Sequence, residues 1–531
     1  MSKRYDYIVI GAGSAGCAVA NRLSQDGLHT VALLEAGGRD LNPWIHVPVG
    51  YFKTMGNPGT DWCYHTQPSN GLNGRSIPWP RGKVLGGSSS INGLLYVRGQ
   101  AQDFDDWANL GNEGWHWDNV LPYFKRSEDW QGKPSALRGK GGPLAVSETR
   151  LSRPVVDAWL QAAANSGYPA NDDYNGADQE GVGLFQLTSK NGRRCSSAVA
   201  YLNSARSRPN LTILTRSCVE KLIFDGLRAT GVQLASGQLM ANKEVILCAG
   251  AIGSPQLLMV SGIGSSEQLT PHKINIVKEL PGVGRNLQDH LQARPVFKCA
   301  ASTINTEISS WFKQGLIGLE YLLKRTGPMT MAASLGAGFV KTHLSPQRPD
   351  IQFHIQPFSA DSPAQGPHKF DAFTASVLQL RPESAGHLSL VSNRFADHPD
   401  IHPNYLATKL DQQTIVAGIK IARDIAQQAP LKSLITQEHS PGINIGGQAD
   451  EDILNWARDT ATTIYHPTGT CKMGNDDMAV VDAQLKVHGI EGLRVADASI
   501  MPIITSGNTN APAIMIGEKV AAMILQEMVN V

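Results

Sequence analysis

The sequence predicts an α/β fold in which a parallel-sheet domain, assembled from separate stretches of chain, joins an α+β domain with an antiparallel sheet. A strand, glycine turn, helix and strand open the chain, and a second strand and glycine turn follow after residue 245. Between about 295 and 464 the texture changes to short alternating segments and amphipathic stretches. At 531 residues the chain exceeds the size at which one core keeps growing, which favours two domains.

Tyr7 to Ile10 is a β-branched run, Gly11 to Gly16 reads G-A-G-S-A-G, and Cys17 to Leu23 has helical apolar spacing. Thr30 to Leu34 reads as the second strand, ending in Glu35. That order is a Rossmann-like βαβ unit. Gly11 permits the tight turn, Gly13 lets backbone approach a pyrophosphate, and Gly16 lets helix and strand pack closely. Ser14 and Ala15 open the helix, whose free N–H groups and positive dipole end face the phosphates. Glu35, followed by Ala36, is placed to accept hydrogen bonds from a ribose hydroxyl, which argues against a 2′-phosphate. The motif does not separate FAD from NAD, although its place at the start of the chain leans toward FAD.

Gly37 to Arg98 is rich in Gly and Pro and too long for an idle loop. Within it Gly82 to Gly93 reads G-K-V-L-G-G-S-S-S-I-N-G, small enough to let main chain lie against a flat ring. Val84, Gly87, Ser88, Asn92, Gly93 and Leu95 are candidate cofactor contacts there. Trp107, Trp115, Trp117 and Trp130 read as aromatic packing between helices. Leu211 to Val219 and Thr230 to Leu234 read as strands, with Val219 a further candidate contact. Val245 to Cys248 reads as a buried strand running into a second glycine turn, Ala249 to Gly264, in which Ala249 and Gly250 would face a phosphate or approach backbone closely.

In the middle region Asp350 to Phe358 and Gly386 to Leu390 read as half-buried antiparallel strands, and helices are expected near 312–324, 411–428 and 450–459. Near the end, Thr463 to Gly474 reads T-I-Y-H-P-T-G-T-C-K-M-G and Leu493 to Asp497 reads as a strand ending in an acid. Pro512 sits where a first helical residue belongs, with apolar spacing to about Leu525, so Asn510 falls just before a helix start.

A net charge of +1, with 18% charged residues, implies no nucleic-acid partner. The seven cysteines are scattered without a C-x-x-C, which fits neither a disulfide framework nor a metal site, and points to a reducing compartment. Lys3-Arg4 and the residues after them imitate a secretory signal, but Asp6 interrupts the apolar region. No uninterrupted apolar run reaches the ~18 residues of a membrane span. A cytoplasmic protein is expected, with peripheral contact on the cytoplasmic membrane left open; nothing in the residues speaks to oligomeric state.

Gly82 to Gly99 and Gly250 to Gly264 resemble the two signature segments of the glucose-methanol-choline (GMC) oxidoreductases. With the N-terminal glycine motif, Y-H-P-T-G-T-C-K-M-G, L-R-V-A-D-A-S and N-T-N-A-P in the family's order, the resemblance covers nearly the whole chain, and is strongest to bacterial alcohol, choline and sorbose dehydrogenases. It implies a discontinuous FAD-binding domain, 1–155, 205–295 and 465–531, and a substrate-binding domain, 156–204 and 296–464. It implies a catalytic pair, His466 and Asn510, with the imidazole taking the hydroxyl proton of a primary or sugar alcohol as hydride leaves for flavin N5. Tyr465, Asp497, Ala498, Asn508, Thr509 and Asn510 would also touch the cofactor. Ile91 stands where some relatives have a flavin-bonded histidine, so the FAD is expected to be non-covalent. The resemblance favours a quinone-type acceptor over oxygen. An oxygen-using alcohol oxidase and an FAD-containing hydroxynitrile lyase remain as alternatives, and no acidic cage for a choline cation is evident.

Trp311, Phe312, Leu316, Ile317, Leu319 and Tyr321, with Met329 and Met331, either line the entrance or pack the domain.

Overall fold

The strand Lys3–Ile10 sits inside a seven-stranded sheet because both its edges find parallel partners, Val31–Leu34 on one side and Gly237–Leu247 on the other. Leu211–Leu214 extends the sheet beyond Val31–Leu34, and Leu493–Val495 pairs in parallel with the far end of Gly237–Leu247. Arg228–Leu234 and Val219–Asp225 add an antiparallel edge. Val31–Leu34 is buried at every position, as a parallel strand covered on both faces must be. The structure is a computed structural model that describes residues 3–361, 366–442 and 449–529.

Helices Ser14–Leu23 and Asn510–Val529 pack together over this sheet. Their approach is close: a Cβ on Gly517 would stand 2.5 Å from the Ala15 carbonyl oxygen. The start of the chain, its middle and its end therefore build one layer.

The second sheet has eight strands and is antiparallel throughout, running from Ile435–Ser440 through Val296–Cys299, Ala372–Gln379, Ile351–Gln356 and Gly336–Val340 to Gly181–Leu184. Leu291–Ala293 joins it too, bridging Ala372–Gln379 and Thr462–Thr463, so the sheet begins before residue 296. Helices Pro154–Asn165 and Lys409–Ala426 cover its outer face.

Several expectations are corrected. Ile351–Gln356 is not half-exposed but buried over five of six residues, and Ala372–Gln379 at all eight, because helices cover one face and the other closes a cavity. The run expected at Leu211 to Val219 is two strands, broken where Arg216 takes φ +55°. The strand ending at Leu247 starts at Gly237, upstream of its apolar part. His387–Ser389 pairs with Asp400–His402 in a hairpin of its own. The last helix begins at Asn510, which makes Pro512 its third residue, still within the turn that has no intrahelical N–H bond to lose. Among the described residues no helix is long and apolar enough to cross a membrane.

Candidate active site

A cavity of about 1480 Å³ opens between the carboxyl ends of the first sheet's parallel strands and the inner face of the second sheet. The first glycine turn forms one wall. Gly11 has φ +99°, and a Cβ there would meet the Cys248 carbonyl oxygen at 2.4 Å. Gly16 lies against the Gly11 oxygen, where a Cβ would stand at 1.9 Å, so it packs helix on strand and does not reach the cavity. Gly13 is different: a Cβ would meet nothing nearer than 4.0 Å, so its bare backbone faces open cavity. Glu35 accepts the N–H groups of Ala12 (3.0 Å) and Gly37 (2.8 Å), and burial pushes its carboxyl up to about 7. Each oxygen keeps a lone pair for a further donor.

Ser14, Ala15, Ala36, Gly87, Ser88, Gly93, Leu95, Val219, Ala249, Gly250, Tyr465, Ala498 and Thr509 all reach the cavity wall. Val84 does not. It bridges to Gly38 and is buried behind the wall, which corrects its expected contact. Asn92 lines the wall with its oxygen engaged by Arg194 (2.6 Å) and the Leu94 N–H (3.1 Å). Asp497 also reaches the wall, yet it accepts from Gly250 N–H (2.8 Å), Ser254 Oγ (2.6 Å) and Ser499 N–H (2.8 Å), which ties the second glycine turn to the C-terminal segment.

His466 stands on the same cavity, held from three sides. Its Nδ1 lies 3.0 Å from Nδ1 of His290, whose Nε2 lies 2.9 Å from the Leu380 carbonyl oxygen. A carbonyl only accepts, so His290 carries its proton on Nε2 and accepts on Nδ1. His466 therefore carries its proton on Nδ1 and keeps the Nε2 lone pair. That lone pair faces the Asn508 Nδ2 at 3.0 Å, and the Asn508 oxygen accepts from Gln352 Nε2 at 3.2 Å, which fixes the amide's orientation. The His466 backbone N–H donates to Asp289 (2.7 Å), which also accepts from Thr463 Oγ1 (2.5 Å) and the Tyr405 hydroxyl. Tyr465, just before, has φ +72°, a left-handed conformation kept by this surrounding network. Burial, then His290, His354 and Arg81, hold His466 well below the usual imidazole range, so it is a neutral base.

Asn510 is not the partner of His466. It begins the last helix and its oxygen accepts from Ser14 Oγ at 2.7 Å, which places it beside the first glycine turn. Sequence reading missed His290, Asp289, Gln352 and His354. The first two sit in N-L-Q-D-H, Asn286 to His290, and the last two alternate along a strand, a pattern that looks like a solvent face.

Of the residues expected at the entrance, Ile317 lines the cavity with Met329 and Met331, and Tyr321 is buried with its hydroxyl on the Gly192 oxygen (3.0 Å). Trp311, Phe312, Leu316 and Leu319 do neither; they stand exposed on helix Trp311–Lys324.

The bare backbone at Gly13 and the two spare lone pairs of Glu35 fit a dinucleotide; Gly87 and Gly93 also line the wall, but a Cβ there would meet Gly13 Cα at 2.7 Å and Ala333 Cβ at 2.2 Å, so their missing side chains serve packing. The family model described as GMC oxidoreductase matches residues 5–292, and its C-terminal counterpart matches 382–517. The chain is 42% identical to a mitochondrial choline dehydrogenase of Mus musculus, over 98% of this chain and 89% of that one. It is also 42% identical to an alcohol dehydrogenase [acceptor] of Pseudomonas putida, over 99% and 96%. Its structure is similar to that of the Aspergillus oryzae RIB40 formate oxidase, solved to follow the effect of a mutation on FAD modification, with a TM-score of 0.93 at 28% identity over the whole of both chains.

Proposed function

The chain belongs to the GMC oxidoreductase family of FAD-dependent enzymes acting on CH–OH donors, and on that premise we propose that it oxidises a primary alcohol to the aldehyde with His466 as base. One observation carries the assignment of the base: a neutral imidazole on the cavity wall whose Nδ1 proton is held by His290, which leaves Nε2, beside Asn508, as the acceptor. Gly13, Ser14, Glu35, Gly93 and Asn510 would hold the FAD, which when bound would supply the two-electron acceptor.

The chain's own residues do the rest. The alcohol O–H takes the place of the Asn508 N–H at His466 Nε2, and the proton moves there as the carbinol carbon is oxidised, so no oxocarbenium builds up. Asn508 Nδ2 donates to the oxygen as it takes on alkoxide character, and adds no titrating group. His290 accepts from His466 Nδ1 throughout and keeps the ring in one tautomer.

For the electron acceptor we propose a quinone-type molecule; the relatives include an alcohol dehydrogenase [acceptor] and also an oxygen-dependent choline dehydrogenase of Pseudomonas fluorescens, and the test below decides between the two acceptors. Peripheral contact with a membrane is supported by helix Trp311–Lys324, whose Trp311, Phe312, Leu319, Leu322 and Leu323 are exposed beside Lys313 and Lys324. Non-covalent FAD is supported by Ile91, which reaches the cavity wall and offers no nucleophile.

Anaerobic mixing of the holoenzyme with an alcohol panel is the test. Bleaching of the flavin identifies the alcohol, and its return on adding a quinone, faster than on readmitting oxygen, identifies the acceptor. His466→Ala should slow bleaching by about two to four decades with FAD still bound. Undiminished bleaching would remove His466 from the mechanism, and flavin retained on the denatured chain would contradict dissociable binding.

A further inference from the structure

The molecule's deeply buried arginines have acceptors. Arg98 pairs with Glu128 at 2.6 Å, Arg138 with Glu128 and Asp173 at 2.6 Å each, and Arg494 with Glu244 and Glu527. Arg194 donates to Ile45 and Ser89 carbonyls and to Asn92. Arg294 departs from this pattern. It is half-buried, lines the cavity, and makes no hydrogen bond or ion pair among the described residues. A guanidinium removed from bulk water without a partner is costly, and its five donors match a planar anion.

Its surroundings are built for the same purpose. The pairings Ala293 with Val377 and Val296 with Thr374 keep the same register on either side of Arg294 and Pro295, and the Ala375 N–H donates to the Pro295 oxygen at 2.9 Å, which sets Arg294 opposite Ser376, and Ser376 in turn opposite His354. Directly opposed residues share a face, so the three form a polar row across the inner face of the second sheet. Ser376 Oγ and His354 Nε2 are buried without a partner. Gln292, two residues before Arg294 and so on the same face, also lines the cavity with its Oε1 unpartnered. Asp361, the carboxylate whose charge acts on Arg294, is engaged by His368 at 3.1 Å, and its side chain is 67% exposed. Beyond the row the wall is apolar, with Val296, Ile304, Ile308 and Met329.

We propose that this row is the subsite for a carboxylate at the far end of the alcohol substrate, gripped by Arg294, so that the enzyme's substrates are ω-hydroxy carboxylates. This rests on the alcohol oxidation proposed above and names its substrate class. Arg294 follows His290 by four residues, a Cα separation of at most about 13 Å. The carbinol at His466 and the anion at Arg294 then belong to one substrate molecule, whose methylenes lie against the apolar part of the same cavity wall. A quaternary ammonium in the same place would face a like charge.

The test uses the holoenzyme with ω-hydroxy carboxylates of increasing chain length, the 1-alkanols of matching length, and choline. Anaerobic flavin bleaching should show, at the best length, kcat/KM for the hydroxy acid at least tenfold above that for the alkanol, with choline the poorest. Arg294→Met should lower the ratio of the two by about 10- to 100-fold, chiefly through KM of the hydroxy acid, the range expected for one charged hydrogen-bonded contact. Equal rates in the native enzyme, or an unchanged ratio in Arg294→Met, overturn the proposal. Binding decides it without turnover: simple alkanoates of the same lengths should raise the melting temperature of the native holoenzyme and not that of Arg294→Met. No shift with the native enzyme counts against the subsite, whereas a shift without bleaching by any alcohol keeps the subsite and removes the oxidation reading.

Discussion

Asn508 and Asn510 are two residues apart in N-T-N and have different neighbours: one amide faces an imidazole, the other a serine hydroxyl. The cause is local. Asn508 lies in the extended approach to the last helix, while Asn510 is that helix's first residue and has turned toward the first glycine turn. Their replacements should therefore separate. Asn508→Ala removes the donor to the developing alkoxide and should lower the rate of flavin reduction by roughly 10²- to 10³-fold, the range for one lost oxyanion donor, with FAD content intact. Asn510→Ala frees Ser14 beside the phosphate-type turn and should weaken FAD retention on dialysis while the bleaching rate of the flavin that remains stays within a few-fold. Stopped-flow reduction and flavin-to-protein absorbance ratios check both, and the assignment fails if the two variants exchange phenotypes. His466 was legible in sequence through its motif, and so were the duties of Gly11, Gly13 and Gly16, because a tight turn leaves a local pattern. The partner amide was not, since spacing of two does not say where a helix begins.

At the level of elements, the parallel strands were legible as short apolar runs, and their parallel partners followed from the strand, turn, helix order. Ile351–Gln356 was recognised as a strand but assigned the wrong surroundings: alternation of Gln352 and His354 with apolar residues marks a face unlike the core, and the sequence cannot say whether that face meets water or a substrate. Helix Trp311–Lys324 poses the converse problem. Its apolar residues suggested packing, yet Leu322 is 68% and Leu323 is 73% exposed, so the face has no partner within the described chain. If it meets a membrane, Leu322→Glu with Leu323→Glu should abolish co-sedimentation with anionic phospholipid vesicles, leaving both the melting temperature and turnover with a soluble dye unchanged. Neither side chain reaches the cavity. Equal sedimentation of native and variant protein would rule out this helix as the contact.

The whole molecule gathers three histidines from distant parts of the chain at the seam between its sheets. His290 is pushed down to about 4 and His354 to about 3, both chiefly by burial, and His466 lies well below the usual range. The unfolded chain takes up these three protons near pH 6.5, whereas the native molecule refuses them. Their contribution to stability is thus complete above about 6.5 and is lost as pH falls below it. Two buried carboxyls act in the opposite sense: Glu35, raised to about 7, and Asp289, raised to about 6, hold protons that the unfolded chain has released. Their contribution is lost as pH rises through those values. Below about 6 the three histidines favour proton uptake by the unfolded chain and the two carboxyls by the native one, so among these five groups the histidines outnumber the carboxyls and acidification is destabilising. His354 makes no hydrogen bond among the described residues, so His354→Gln should remove one titration at small structural cost and bring the two sets into balance. The melting temperature of the native protein should fall between pH 6.5 and 5, and that of His354→Gln should fall less over the same interval. Parallel curves would mean that His354 is not held neutral by the fold.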